Sequence, residues 1–322
     1  MQILGMGNAL VDVLIRVEKD SILDELRLPK GSMQLVDEVR LREIEQRIDG
    51  FERILVSGGS AANTIHGLAE LGIKTGFIGS AGWDPWGDFY INDLKNKGIE
   101  SIFYRPDKPT GRAMAFLTSD SERTFGTYLG AAIELRPEFL SLELFQGWSV
   151  FHIEGYLVQN HDLIETALAL ANQAGCIISL DLASYNVVED NLEFLKSVVP
   201  PYVDILFANQ EEALAYTGLE PEAAVEELAS HCGIAIVKTG KDGAWVRSGT
   251  EKHHIEGLEA NCIDTTGAGD LFAAGFLYGF TRKLPLRKCG ELGNLLAAAV
   301  IEVTGPKIPE QHWMKIRKAL SI

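Results

Sequence analysis

Cysteine is scarce in this 322-residue chain: Cys176, Cys232, Cys262 and Cys289 are the four, and none stands in a CxxC or other metal-type spacing. A disulfide framework or structural zinc site is not expected, and the pattern fits free thiols in a reducing compartment. Hydrophobic runs are short as well. The longest, residues 271–280, is interrupted by glycine and reaches about half the length of a membrane span. Residues 1–7 carry no basic region and no cleavage site, so no signal peptide is expected and a cytoplasmic location is. Positive charge is in deficit, with 29 Lys+Arg against 45 Asp+Glu and a net charge of −16. Such a surface repels phosphate backbones and anionic lipid, which leaves nucleic acid and membranes as poor partners. Two nucleotide motifs are missing. Leu10 stands where the third glycine of a dinucleotide fingerprint should follow Gly5 and Gly7, and no G-x-x-x-x-G-K-[ST] sequence occurs. There is no internal repeat, and the 32 glycines have no collagen-like period.

What is present is an ordinary globular composition, 46% apolar and 23% charged. A chain this long can bury about three quarters of its unfolded surface. Short β-type runs at 3–6, 53–56, 75–80, 150–154, 177–181, 205–208 and 234–238 alternate with helical patterns. The helical patterns lie at 60–71, 86–97, 162–173, 188–198, 210–217 and 223–232, then at 269–281, 286–303 and 310–320. This alternation predicts an α/β fold with a mostly parallel sheet and helices on both faces. Two segments break it. Residues 11–17 and 113–128 read as strands with exposed charges, the second folded at a Ser119-Asp120-Ser121-Glu122 turn. They predict a small discontinuous β lid, over 11–39 and 101–128, on a body made of 1–10, 40–100 and 129–322.

The strongest motif is Asp264-Thr265-Thr266-Gly267-Ala268-Gly269-Asp270 leading into a helical pattern. Small residues let a ligand approach the backbone. The free amides of Gly267, Ala268, Gly269 and Asp270 would bind an anion without a basic side chain. Asp270 could accept a hydroxyl proton. An ordinary capped helix start would need neither the three small residues nor the second aspartate six positions earlier. The second motif is Ser57-Gly58-Gly59-Ser60-Ala61-Ala62-Asn63. It reads either as a strand-to-helix turn capped by Ser60, or as a site where Gly59, Ser60 and Asn63 meet a polar ligand.

Together the two motifs resemble the paired signatures of the ribokinase family, the pfkB-type carbohydrate and nucleoside kinases. The resemblance covers nearly the whole chain. Asn8-Ala9-Leu10-Val11-Asp12 looks like the family's first substrate loop, and Asn209-Gln210-Glu211-Glu212 and Lys238-Thr239-Gly240-Lys241-Asp242-Gly243 look like its nucleotide-side segments. Residues 201–209, Glu154-Gly155-Tyr156, and Arg123 with 128–131 are similar to the adenosine-kinase branch, the bacterial members above all.

The resemblance implies a ribokinase-like three-layer α/β/α sandwich. It implies transfer of the ATP γ-phosphoryl group to the 5′-hydroxyl of a nucleoside, most simply adenosine. A sugar kinase of the same fold, or a non-catalytic relative, are the alternatives. Asp270 would be the base, with residues 267–270 stabilising charge. Asn8, Asp12, Gly59, Ser60 and Asn63 would hold the acceptor. Leu157 stands where relatives put a base-stacking aromatic, so Phe116 or Phe125 of the lid would supply the ring, and Arg123 would reach the phosphates on lid closure. Asn209, Glu212, Thr239, Gly240, Gly243 and Asn294 would serve ATP, with Glu212 ordering Mg²⁺ through water. Asn209 and Glu212 also have capping-box spacing, a role compatible with the first. Asp264 and Thr266, with carbonyls near 303–305, match a monovalent-cation site suited to K⁺. Relatives occur as monomers and as lid-paired homodimers.

Overall fold

The computed structural model describes residues 1–17, 20–118 and 123–321. The predicted turn at 119–122 lies outside the described residues.

Two sheets form among the described residues. The larger has nine strands in the order Glu251–Ile255, Ala244–Ser248, Ile234–Lys238, Ile205–Asn209, Ile177–Asp181, Val150–Glu154, Ile3–Met6, Thr75–Ser80, Glu100–Tyr104. The last seven run parallel and the first two are antiparallel additions. The apolar runs are those of a sheet covered on both sides, and Thr75–Ser80 and Val150–Glu154 are buried at every residue. One face carries helices Ser60–Glu70, Ala268–Thr281 and Leu286–Ile301. The other carries His161–Gln173, Leu192–Tyr202, Gln210–Thr217 and Pro221–His231. This is the ribokinase-like α/β sandwich. The helical pattern at 188–198 is two helices, Tyr185–Asp190 and Leu192–Tyr202, separated at Asn191. All four cysteines are unpaired. Among the described residues no helix is long and apolar enough to cross a membrane.

The smaller sheet has five strands, Met33–Leu35, Arg123–Tyr128, Gly111–Leu117, Leu10–Arg16 and Arg53–Gly58. It corrects the expected division of the chain in two places. Arg53–Gly58, expected in the body, pairs antiparallel with Leu10–Arg16 at the edge of the lid sheet. Glu100–Tyr104, expected in the lid, pairs parallel with Thr75–Ser80 at the edge of the body sheet. Arg53–Gly58 is followed by a helix, as body strands are, but its first half is exposed. The alternating burial of Leu10–Arg16 gives the lid two faces. Val11, Val13 and Ile15 are fully buried on one. Asp12 and Leu14 are on the other.

Candidate active site

The two glycine motifs meet at the start of two helices. Gly59 and Gly267 are the N-caps, with φ +98 and +78, conformations that glycine adopts without strain. A Cβ on Gly59 would overlap the carbonyl oxygen of Asn8, so the chain passes there only as glycine. The helices cross at their first turns. Ser60 Oγ donates to Asp270 Oδ1 at 2.7 Å, and Asn63 Nδ2 donates to Asp270 Oδ2 at 2.9 Å. Thr64 Oγ1 donates to the Asp270 carbonyl at 3.0 Å. Burial pushes the Asp270 carboxyl up to about 6, against the two side-chain hydrogen bonds. A carboxylate in that range is matched to proton abstraction near neutral pH.

Glu154, at the end of its strand, ties this corner together. Its carboxylate accepts from Asn8 N at 2.9 Å, Asn8 Nδ2 at 3.0 Å and Ala61 N at 2.8 Å. Burial pushes it up to about 7. With its amide so held, Asn8 keeps a buried Oδ1 without a partner among the described residues, and Asn63 Oδ1 is in the same state. Such buried acceptors cost free energy until a ligand's donors reach them. Asp12 projects from the lid beside Gly58, where a Cβ would overlap its carboxylate. Burial pushes Asp12 up to about 7, against the pull of Lys307 and Arg123. The Lys307 ammonium is buried without a partner among the described residues, and burial lowers it to about 8.

A cavity of about 1340 Å³ runs from Asp270 and Ser60 toward Glu212, Gly243 and Asn294. Asn209 and Glu212 form a complete capping box. Asn209 N and Nδ2 donate to Glu212 at 2.7 Å each, and Glu212 N donates to Asn209 Oδ1 at 2.8 Å. Burial pushes Glu212 up to about 7. Thr239 N donates to the Gly243 carbonyl at 2.8 Å, closing a turn in which Gly240 and Gly243 have positive φ. Thr239 Oγ1 is buried and unpartnered among the described residues. Asn294 Nδ2 donates to the Glu256 carbonyl at 2.7 Å and so fixes the far wall.

Five expectations are corrected. The Ala268 amide is not free: it donates to the Thr265 carbonyl at 3.1 Å, so only Gly267, Gly269 and Asp270 offer open amides at this helix start. Phe116 lies opposite Thr124 and beside Ile15, on the lid face turned away from Asp12. It is fully buried in the core, because side chains alternate along a strand. Phe125 pairs with Ala115, on the Asp12 face. Leu157 packs in the core on the other side of the body sheet, and Tyr156 lines the cavity instead. Arg123 is already engaged: it donates to Thr266 Oγ1 at 2.6 Å and is ion-paired with Asp264. The same Asp264 carboxylate accepts from the amides of Thr266, at 3.0 Å, and Gly305. A guanidinium and two amides thus occupy the Asp264 carboxylate, the side-chain ligand that the expected monovalent-cation site relied on.

Sequence reasoning assigned no role to Glu154, Tyr156, Asp181, Lys238 or Lys307. Glu154, Asp181 and Lys238 share a signal that was available. Each ends an apolar parallel strand on a charged residue, and all three face the same sheet edge, where ligands of open α/β sheets bind.

The site joins a helix start with open amides to a buried carboxylate, an arrangement chemically suited to moving a charged group onto an alcohol. The protein is a phosphotransferase with a hydroxyl acceptor. It belongs to the pfkB family of carbohydrate kinases, whose family model matches residues 36–313. Over 99% of both chains it is 34% identical to the solved adenosine kinase of Sinorhizobium meliloti, with a TM-score of 0.87. A probable sugar kinase of Rhizobium etli is also 34% identical, covering 99% of this chain and 98% of that one, with a TM-score of 0.88. The adenosine kinase of Saccharomyces cerevisiae is 28% identical over 314 residues, 91% of this chain and 89% of its own. Membership implies ATP as phosphoryl donor, used with a metal ion.

Proposed function

We propose that the protein phosphorylates the 5′-hydroxyl of a nucleoside, adenosine being the leading acceptor and AMP the product. The observation that carries this reading is a pair of rings, one in the cavity and one on the sheet face that bears Asp12. Tyr156 lines the cavity beside Ser60 and Asp270, and Phe125 shares the lid face of Asp12. Planar bases stack on such rings, each contact worth about 1–3 kcal/mol, whereas a free pentose offers them nothing planar. The adenosine kinases among the relatives support the same choice.

In this reading Asp12, Asn8 and Asn63 hold the sugar. Two of them present buried acceptor oxygens, suited to hydroxyl protons. Asp270, oriented by Ser60 and Asn63, takes the 5′-hydroxyl proton as the new oxygen–phosphorus bond forms. The bond from the γ-phosphorus to its bridging oxygen breaks, and ADP leaves with that electron pair. The amides of Gly267, Gly269 and Asp270 receive the charge on the transferred group, at a few kcal/mol per donor. ATP supplies that group. The residues present fit it: the long cavity is lined by the open amides of Gly267, Gly269 and Asp270, donors for a polyanion. Glu212 and Asn209 are the candidates for ordering water around Mg²⁺, which keeps most of its waters and needs few protein ligands. The lid holds bulk water away from the reaction.

A sugar acceptor is the second reading, favoured by the Rhizobium etli relative at equal identity. ADP formation measured with adenosine, inosine, guanosine, cytidine, ribose and fructose separates the two. Turnover on adenosine at micromolar KM supports the nucleoside; turnover confined to free sugars overturns it.

A further inference from the structure

The phosphoryl path holds a buried cation that none of the roles above uses. Lys238 ends the strand Ile234–Lys238, and its Nζ donates to Asp181 Oδ2 at 2.8 Å. Asp181 ends a strand two places away in the same sheet. The two side chains are only 14% and 6% exposed. The ammonium is aimed at the anion-binding helix start. A Cβ built on Gly269 would sit 3.1 Å from Lys238 Nζ, so the ammonium lies against the backbone that presents the free amides. Lys238, Gly269, Asp270 and Asp181 all line the one cavity. Burial works against the charge on Lys238. Asp181 and Glu212 outweigh it and hold the ammonium above its ordinary value.

Arg123 was the expected counter-charge for the phosphates, and it is committed to Asp264 and Thr266. Of the cations lining the cavity, Lys241 is exposed, while Lys238 is enclosed beside the reacting end. A buried ion pair whose partners both face a ligand cavity is poorly explained as a stabilising device, since such pairs seldom repay their desolvation.

We infer that Lys238 is a catalytic residue that leaves Asp181 to grip the terminal phosphoryl group of the bound nucleotide and accompanies it during transfer. Asp181 is its positioning residue, parking the ammonium at the mouth of the amide cluster while no anion is present. The atoms balance as in the reaction above: the hydroxyl proton goes to Asp270, ADP leaves, and Lys238 neither gains nor loses a proton. The inference rests on the kinase chemistry and not on which acceptor is used.

The test compares the wild-type protein with Lys238→Met and Lys238→Arg. Calorimetric affinities are measured for β,γ-methylene-ATP and for ADP, both with Mg²⁺ and without acceptor, beside kcat and KM. The expected result for Lys238→Met is loss of the triphosphate-over-diphosphate preference by at least tenfold, with ADP affinity kept within about twofold. Its kcat falls at least 100-fold while acceptor KM stays within threefold, and Lys238→Arg recovers part of both. An unchanged preference overturns the proposal, even if kcat falls, because Lys238 would then only be holding Asp181 in place. Lys238→Met leaves the buried Asp181 carboxylate unpaired. If it does not fold, the double variant Asp181→Asn/Lys238→Met carries the same expectation and the same refutation. Because the nucleotide affinities need no acceptor, a wild-type protein inert toward nucleosides would sink the acceptor reading without touching this one.

Discussion

Asparagine in place of Asp270 separates geometry from proton transfer. The Asp270 carboxylate accepts from Ser60 and Asn63. An asparagine can accept from Asn63 and donate to the Ser60 hydroxyl, so the two helix starts stay joined and the fold survives. Only the base is lost. Positioned bases contribute about 10²–10⁴-fold, and kcat is expected to fall by that factor with both KM values little changed. The wild-type pH profile sharpens the test. Burial raises Asp270 to about 6 and Asp12 to about 7. Both must be ionised, one to take a proton and the other to accept from the sugar. Protonation therefore disables the free enzyme from the acid side. The profile of kcat/KM for the acceptor falls about tenfold per pH unit just below 7 and approaches roughly 100-fold per unit below 6. In Asp270→Asn the residual rate keeps only the shallower limb. Stability moves the other way. A carboxyl raised in the folded state favours folding most below its unfolded value, and that contribution is lost as pH rises through about 6. At pH 8 the asparagine variant is thus expected to be more stable than wild type, by on the order of 3 kcal/mol, and so to melt higher, an advantage that vanishes below about pH 4. Coupled ADP assays from pH 5 to 8.5 and thermal melts read these outcomes. Residual turnover within tenfold of wild type, or an acid limb centred near pH 4, would refute the assignment.

Three further substitutions or exchanges probe the neighbouring parts. Tyr156→Leu removes a ring that lines the cavity; KM for adenosine is expected to rise at least about fivefold, at about 1–3 kcal/mol per stacked base, with KM for ATP unchanged in initial-rate assays. Exchange of K⁺ for tetramethylammonium is expected to leave kcat within twofold, because Arg123 and two amides fill the Asp264 carboxylate; strong K⁺ activation would contradict this. Gly58→Ala drives a methyl into the Asp12 carboxylate, so acceptor KM rises at least tenfold while the ATP–ADP affinity difference measured by calorimetry persists.

The apolar runs at 3–6, 75–80, 150–154, 177–181 and 234–238 coincide with strands of the large sheet, because both faces of each are covered and the pattern is continuous. Local pattern failed where partners decide. Arg53–Gly58 looks like the strand of a βα unit, yet its hydrogen-bond partner is the lid strand Leu10–Arg16. Phe116 and Phe125 look equivalent in sequence. Only the register, which sets Ala115 against Phe125, reveals that they point to opposite faces. The meeting of Ser60 and Asn63 with Asp270 joins the two motifs that the resemblance had paired. The Arg123–Asp264 pair spans 141 residues and both lid and body, and no spacing announces such a contact. Tyr156, not the expected Leu157, reaches the cavity because the short turn Gly155–Gln159 points one outward and packs the other into the core. Charged residues at the ends of Val150–Glu154, Ile177–Asp181 and Ile234–Lys238 were legible, and were informative only once the sheet brought those ends together.

The most direct test of the nucleoside-kinase account is a single-turnover reaction of excess protein with γ-labelled ATP, Mg²⁺ and adenosine, with Asp270→Asn alongside. The account predicts that the label appears as AMP phosphorylated at the 5′-oxygen, at a rate at least 100-fold lower in the variant. Label that stays in ATP with adenosine present, but passes to a free sugar in the same buffer, would contradict it.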